Sequence, residues 1–278
     1  MSKVFAVVCC VAFMVMAFWD VGAFVENARG GLFLFGNNVA PVLFPFFFIS
    51  GLLIELGIGK RGVVPMSLLA GYPTGARMLA QLYGRGEITR TQAIKIATYT
   101  STCSPIFIIA TLGSALFGDV RLGVIIFVAH VVGALLNGLL YRKIKFDDTY
   151  AGTTKATSVA PDVCDAVSRA LYSAVQNILV VGGLILIFFV ASSSLPLPLA
   201  AIMEMTTGVF RAEPNLAGIW RAIVPVGIVS FGGLCVAMQG FVFLKTFKMP
   251  VWFYFVYKVT HTTISVVVAV VICLLLRV

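Results

Sequence analysis

Charge is what this sequence has least of. Asp, Glu, Lys and Arg make up 11% of its 278 residues, where soluble domains carry about 25%. That deficit excludes an ordinary water-soluble domain. Histidine is scarcer still, with two in the chain. No CxxC pair and no Cys/His cluster at ligand spacing occurs, which argues against a zinc site or a disulfide framework. Cys9, Cys10, Cys103, Cys164, Cys235 and Cys273 lie mostly inside apolar runs and read as small core residues. GxSxG, HExxH and Walker patterns are absent too, so neither an enzyme nor a resident cofactor is expected. Basic residues outnumber acidic ones by 20 to 11, yet they form no patch or tail, so nucleic acid is not indicated.

What fills the chain is apolar: 60% hydrophobic residues and a mean hydropathy of +1.04. The runs are long enough for membrane helices, which need about 20 residues, and lack the alternation of a transmembrane barrel. The first run, with Lys3 ahead of it, is long for a signal peptide. Trp19-Asp20 stands where a small-residue cleavage site belongs, so it reads as a retained helix. Hydropathy and breakers place membrane segments at 3–24, 38–57, 64–83, 93–117, 120–142, 171–194, 197–210, 218–244 and 251–276.

Two segments are odd. Segment 64–83 carries GYPTGAR at its centre, and 197–210 is short and holds Glu204 with Thr206, Thr207 and Gly208. Short or Gly/Pro-interrupted segments in corresponding halves point to a transporter binding site. Treating both as re-entrant hairpins leaves about seven full crossings. With the N-terminus inside, the inner face then receives Lys3, Lys60, Arg61, Arg85, Arg90, Lys95, Arg142, Lys143, Lys145, Lys155, Arg169, Lys245 and Lys248. The outer face receives Arg29, Arg121, Arg211, Arg221 and Arg277. That asymmetry is what the positive-inside rule requires. It predicts a bacterial inner-membrane protein with a cytoplasmic N-terminus.

The oddities also fall in a repeating order. Asn38-Val39 answers Asn177-Ile178, Thr74-Gly75 answers Thr207-Gly208, Ser101 answers Ser230, and FVAHVV at 127–132 answers FVYKVT at 255–260. The last match sets His130 opposite Lys258. The expected fold is therefore all-α and integral to the membrane, with two inverted-topology repeats, each holding a re-entrant hairpin. Its parts are a peripheral helix at 1–34, repeat 1 at 35–145, a polar cytoplasmic linker at 146–170 and inverted repeat 2 at 171–278.

VLFPFFFISGLLIELG at 42–57, LLAGYPTGARMLAQLYGRGEITRTQA at 68–93 and ATYTSTCSPIFII at 97–109 follow one another, and EMTTG and SFGGL recur in the second half. In these stretches the chain resembles sporulation integral membrane proteins with nucleoside-recognition (Gate) domains, over roughly residues 35–277. The resemblance implies a small-molecule transporter, distantly similar in architecture to concentrative nucleoside transporters. Sporulation members of that family are associated with moving dipicolinic acid, an aromatic dicarboxylate. This chain is shorter than the longer members, which leaves substrate and peripheral helices open. Nothing in it reads a base or a ribose.

The site residues expected are those that repeat or that carry charge at depth. Thr74, Gly75, Thr207 and Gly208 would turn the two hairpins, where helix N-termini offer N–H groups to an anion; the plain alternative is a kink repaired by neighbouring helices. Ser101 and Ser104 form a polar break before Pro105 that serves binding or packing equally. Lys258, His130 and His261 would bring positive charge or a proton relay. Snorkelling and an interhelical hydrogen bond are the plain readings of Lys258 and His130. Glu204 is the candidate intramembrane carboxylate, for a coupling proton or cation or for pairing with Lys258. Arg77 would meet an anion or snorkel inward. Asn38 and Asn177 are included because they recur.

The reading is a transporter of a small organic solute, anionic or aromatic, working by alternating access. Solute and membrane lipid are its expected partners. The coupling ion, sodium or proton, is undetermined, and a homo-oligomer is left open. A non-transporting membrane scaffold or signalling partner stays open as well. Convergence of polar residues from both halves on one cavity separates the two readings.

Overall fold

The structure, a computed structural model, describes residues 3–148 and 162–277. All regular elements among them are helical. Helix α1 (Lys3–Trp19) is followed by α2 (Val21–Leu34), a π-helical turn (Phe35–Val39) and α3 (Ala40–Glu55). Then come α4 (Gly59–Ala70), α5 (Thr74–Gly84), α6 (Arg90–Thr100), a π-helical stretch (Ile106–Leu116) and α7 (Val120–Leu140). The second half holds α8 (Val163–Ser193), α9 (Leu197–Met203), α10 (Met205–Ala212), α11 (Trp220–Phe231), α12 (Gly233–Leu244) and α13 (Val251–Leu276).

Among the described residues, five helical stretches are long and apolar enough to cross a membrane: Val21–Glu55, Val120–Leu140, Val163–Ser193, Trp220–Phe247 and Val251–Leu276. Cys10–Trp19 and Ile106–Leu116 are shorter apolar helices. Large apolar side chains such as Leu179, Leu274 and Leu275 are exposed on the outside of the bundle. Water would penalise such a surface and lipid would not. The chain is an integral membrane protein.

The first helix boundary departs from the sequence reading. Residues 25–37 were expected to join two spans, but the chain stays helical from Val21 to Glu55. No proline interrupts VENARGGLFLFGN, and the break falls earlier, at Asp20, whose carboxylate accepts the Ala23 N–H at 2.9 Å and caps α2. Of the linker expected at 146–170, residues 149–161, Lys155 among them, lie outside the described residues, and from Val163 onward the chain is already helix α8 rather than linker.

Two antiparallel pairs frame the interior. Val21–Glu55 runs against α8, with Gly31 on Leu186 and Phe189, Phe35 on Gly182, and Gly51 on Ala170. Helix α7 runs against α13, with Gly133 on Ser265, Asn137 Nδ2 donating to the Tyr257 carbonyl at 3.2 Å, and Tyr141 edge-on to Phe253. Glycines at these crossings let the backbones approach, which is how helices associate where lipid supplies no hydrophobic drive.

One end of the bundle is basic and tightly tied. Glu55 pairs with Arg85 and, at 2.9 Å, with Arg169. Arg90 donates to the carbonyls of Asp147, Phe247 and Lys248. Thr91 exchanges hydrogen bonds with Phe146.

Candidate functional site

Four helix breaks meet at the centre of the bundle, and each has a local cause. Helix α4 stops at Gly71, with φ 77°; a Cβ there would stand 2.5 Å from the Ser104 amide nitrogen. Helix α5 then starts at Thr74 after Pro73, with no side-chain cap. The α6 helix ends at Thr100, and residues 101–104 are non-helical up to Pro105, which restarts the helix where its missing N–H costs nothing. In the second half Glu204 is extended and ends α9. Its carboxylate accepts from the Thr206 and Thr207 amides at 3.0 and 2.6 Å and from the Thr207 hydroxyl at 2.9 Å. Glu204 is thus the N-cap of α10. Gly232 and Gly233, with φ 80° and 73°, separate α11 from α12.

Within each half the two breaks adjoin. Gly71 backs onto Cys103 and Ser104, and Gly233 lies against the carbonyls of Ile202 and Met203. Tyr72 crosses between halves: its hydroxyl donates to the Val229 carbonyl at 3.2 Å.

Lys258 is fully buried beside these breaks. Its ammonium donates to the Tyr72 hydroxyl at 2.8 Å and the Ser101 carbonyl at 3.4 Å, and lies 4.7 Å from the Tyr72 ring centroid. No described carboxylate pairs with it; Glu204 is occupied with its helix. His130, also fully buried, accepts the Cys103 N–H at Nε2 (2.9 Å). That nitrogen is therefore unprotonated, Nδ1 carries the hydrogen, and it faces Ser230 Oγ at 2.8 Å. The ring is neutral in this arrangement, and its two bonds are the interhelical hydrogen bonds of the plain reading rather than a source of positive charge. His261 Nε2 meets the His130 carbonyl at 3.1 Å.

Two cavities flank the breaks. One, of about 20 Å³, is lined by Tyr72, Ser101, Thr100, Val236, Tyr254 and Tyr257 among others. The second, of about 70 Å³, takes Asn38 and Ser104 from the first half and Glu204, Thr206 and Gln239 from the second, with Tyr72, Cys103, Cys235 and Phe107. A water needs roughly 10–15 Å³ by this measure, so the first holds about one water and the second a few. An organic solute requires the walls to move.

The expected site residues therefore divide. Asn38, Ser104 and Glu204 share the larger cavity, Ser101 lines the smaller, and Lys258 reaches its wall through Tyr72 and Ser101. His130 and His261 stand behind the break at 101–104. Thr74 is buried with its hydroxyl unpartnered. Gly75 is packed on Ser67 and Thr100, and Gly208 on Ala201. Thr207 is held by Glu204 and Ser192. Arg77 lies apart, donating to Phe47 O at 2.6 Å, to Ser50, and to Ser173 Oγ at 3.3 Å, with Asn177 on the same Ser173. Sequence reasoning missed Tyr72, Thr206 and Cys103 as wall residues. Tyr72 sat inside the quoted GYPTGAR; an amphipathic aromatic between two helix breakers was the signal.

Fold and site together define a multi-pass helical membrane protein with a polar centre shared by its two halves. By sequence it is homologous to the sporulation integral membrane protein YlbJ of Bacillus subtilis (strain 168), 26% identical over 280 residues, covering 77% of this chain and 69% of that protein. No family model and no solved structure matches the chain.

Proposed function

We propose that this protein is a non-catalytic membrane transporter that carries a small organic solute, anionic or aromatic, by alternating access. The observation that carries the reading is the larger cavity, where Asn38 and Ser104 of one half meet Glu204, Thr206 and Gln239 of the other. A scaffold has no need to bring polar side chains of both halves to one internal space, since each costs free energy to bury.

In this reading residues 35–145 and 171–278 are inverted repeats, with re-entrant hairpins at 64–83 and 197–210. Support comes from the antiparallel pairing of α3 with α8 and of α7 with α13, the first and last long helices of each half. Further support is the order of elements, since in each half a broken helical hairpin adjoins a second broken helix. The basic end is assigned to the cytoplasm of a bacterial inner membrane by the positive-inside rule. Lys258 is the positive charge offered to an anionic solute, because it is buried with neutral acceptors. The likeness to nucleoside-recognition membrane proteins rests on the motifs GYPTGAR, TCSP and EMTTG.

Uptake by proteoliposomes tests the proposal, with labelled aromatic carboxylates, nucleosides and amino acids, with and without sodium and proton gradients. Saturable uptake of one class, lost in Lys258→Ala, supports it and identifies the coupling ion. No uptake across the panel by folded protein in intact liposomes removes it in favour of a scaffold.

A further inference from the structure

Tyr72 lines both cavities, and Val236 is the other residue they share. The cavities lie at different depths. Leu244, in the wall of the smaller, is one turn from Phe247, whose carbonyl binds Arg90 at the basic end. Ala97, in the same wall, is about 10 Å along α6 from Arg90. The larger cavity shares the depth of Gln239, about 12 Å along its helix from Phe247, but reaches much further from that end: Asn38 stands about 25 Å along its helix from Glu55, and Ile185 a similar distance along α8 from Arg169. Tyr72 therefore stands between a space nearer the basic end and a space nearer the opposite end.

Its position is held at the hydroxyl end of the ring. The hydroxyl donates to Val229 O in the second half and accepts from Lys258, whose ammonium lies 4.7 Å from the ring centroid. On another side Gly232 leaves room for the ring: a Cβ there would touch Tyr72 Cζ at 3.6 Å. These bonds join a neutral hydroxyl to one carbonyl and one ammonium, so the ring can leave without breaking an ion pair.

We propose that Tyr72 is the partition between two solute vestibules, latched by Lys258, and that withdrawal of its ring joins them into one path. The purpose of that path rests on the transport reading; the partition itself does not, and its test uses no uptake. Ser104→Cys places a thiol in the larger cavity of a chain whose six native cysteines are replaced by alanine. A small, charged, membrane-impermeant thiosulfonate is then applied to oriented proteoliposomes from the basic-end face.

With Tyr72 present, the thiol reacts slowly from that face. Tyr72→Ala raises the rate about tenfold, the size of effect expected when a local opening is no longer required, and leaves the rate from the opposite face unchanged. Tyr72→Phe, which keeps the ring but loses both hydroxyl bonds, gives a smaller rise in the same direction. Tyr72→Leu stands in where Tyr72→Ala does not yield a monodisperse protein, with the same expectation. Unchanged rates in all Tyr72 variants overturn the proposal. So does failure of Ala97→Cys, in the smaller cavity, to react from the basic face. Accelerated labelling in a protein that takes up no solute leaves the partition standing and removes the transport reading alone.

Discussion

His130 Nδ1 lies 2.8 Å from Ser230 Oγ, while the opposite nitrogen of the same ring accepts the Cys103 amide at 2.9 Å. One imidazole thus ties a helix of the first half to the break at 101–104 and to the end of α11 in the second. The Cys103 N–H is buried, and no helical carbonyl is in register to receive it. His130→Ala leaves that donor unpaired, which costs about 1–3 kcal/mol, and it also opens a cavity. Ser230→Ala removes one contact of the ring and costs less. Thermal unfolding of the detergent-solubilised protein is expected to rank the variants in that order; equal midpoints would contradict the bridging role.

At the basic end a carboxylate outside the spans gives a pH dependence. The Thr91 amide, donating to Asp148 at 2.7 Å, holds that carboxyl below its usual range, and the Arg90 charge acts the same way. A depressed carboxylate contributes stability above its unfolded value, about 3.9, and loses it as pH falls through the lower folded value. Protection of the Thr91 amide against hydrogen exchange, corrected for intrinsic rates, should hold from pH 8 to 5 and drop below about 4. Asp148→Asn should lower it throughout. A loss centred near neutrality would assign the contact to another group.

Lys258 separates function from stability. A buried cation without a carboxylate partner gains less from its neighbours than it loses by leaving water. Lys258→Met keeps the volume and removes the charge, so the thermal midpoint is expected to stay or rise. Uptake of an anionic solute is expected to be abolished. A protein that unfolds in Lys258→Met would make the ammonium a structural link between Tyr72 and Ser101.

The breaks at GYPTGAR, TCSP, EMTTG and SFGG were legible because glycine, proline or a carboxylate inside an apolar run has few other uses. The buried Lys258 was legible for the same reason. What each break faces was not. Tyr72 reaches Val229 and Lys258 across more than 150 residues of sequence, and no local pattern encodes such a contact. The sequence leaves Arg77 either meeting an anion or snorkelling inward, and does not show that its partners are Phe47, Ser50 and Ser173 on α3 and α8. Asn38 and Asn177 were matched by order, but one lines the larger cavity and the other neighbours Arg77 through Ser173. Glu204 was seen as a lone intramembrane carboxylate, while its spacing to Thr207 was equally the spacing of a helix cap.

Gly75 and Gly84, on the same helix α5, offer the sharpest contrast in how the hairpin is packed. A Cβ on Gly75 would stand 2.6 Å from the Thr100 carbonyl oxygen and 2.7 Å from Ser67 Oγ. The first of these is backbone at the end of α6, and the Ser67 hydroxyl is already bonded to Val63 O, so neither neighbour yields cheaply. Gly75→Ala is expected to cost roughly 1–3 kcal/mol, the range for overpacking a filled interior. A Cβ on Gly84 would meet nothing within 4 Å, so Gly84→Ala should be neutral or stabilising, by no more than about 1 kcal/mol. Because α5 leads directly from the break that carries Tyr72, the same strain should reach the site. In Gly75→Ala the Ser104→Cys thiol should become more reactive from the basic face, whereas in Gly84→Ala it should not change. Equal behaviour of the two alanine variants, in both unfolding and labelling, would mean that α5 is not seated against α6 as these distances require.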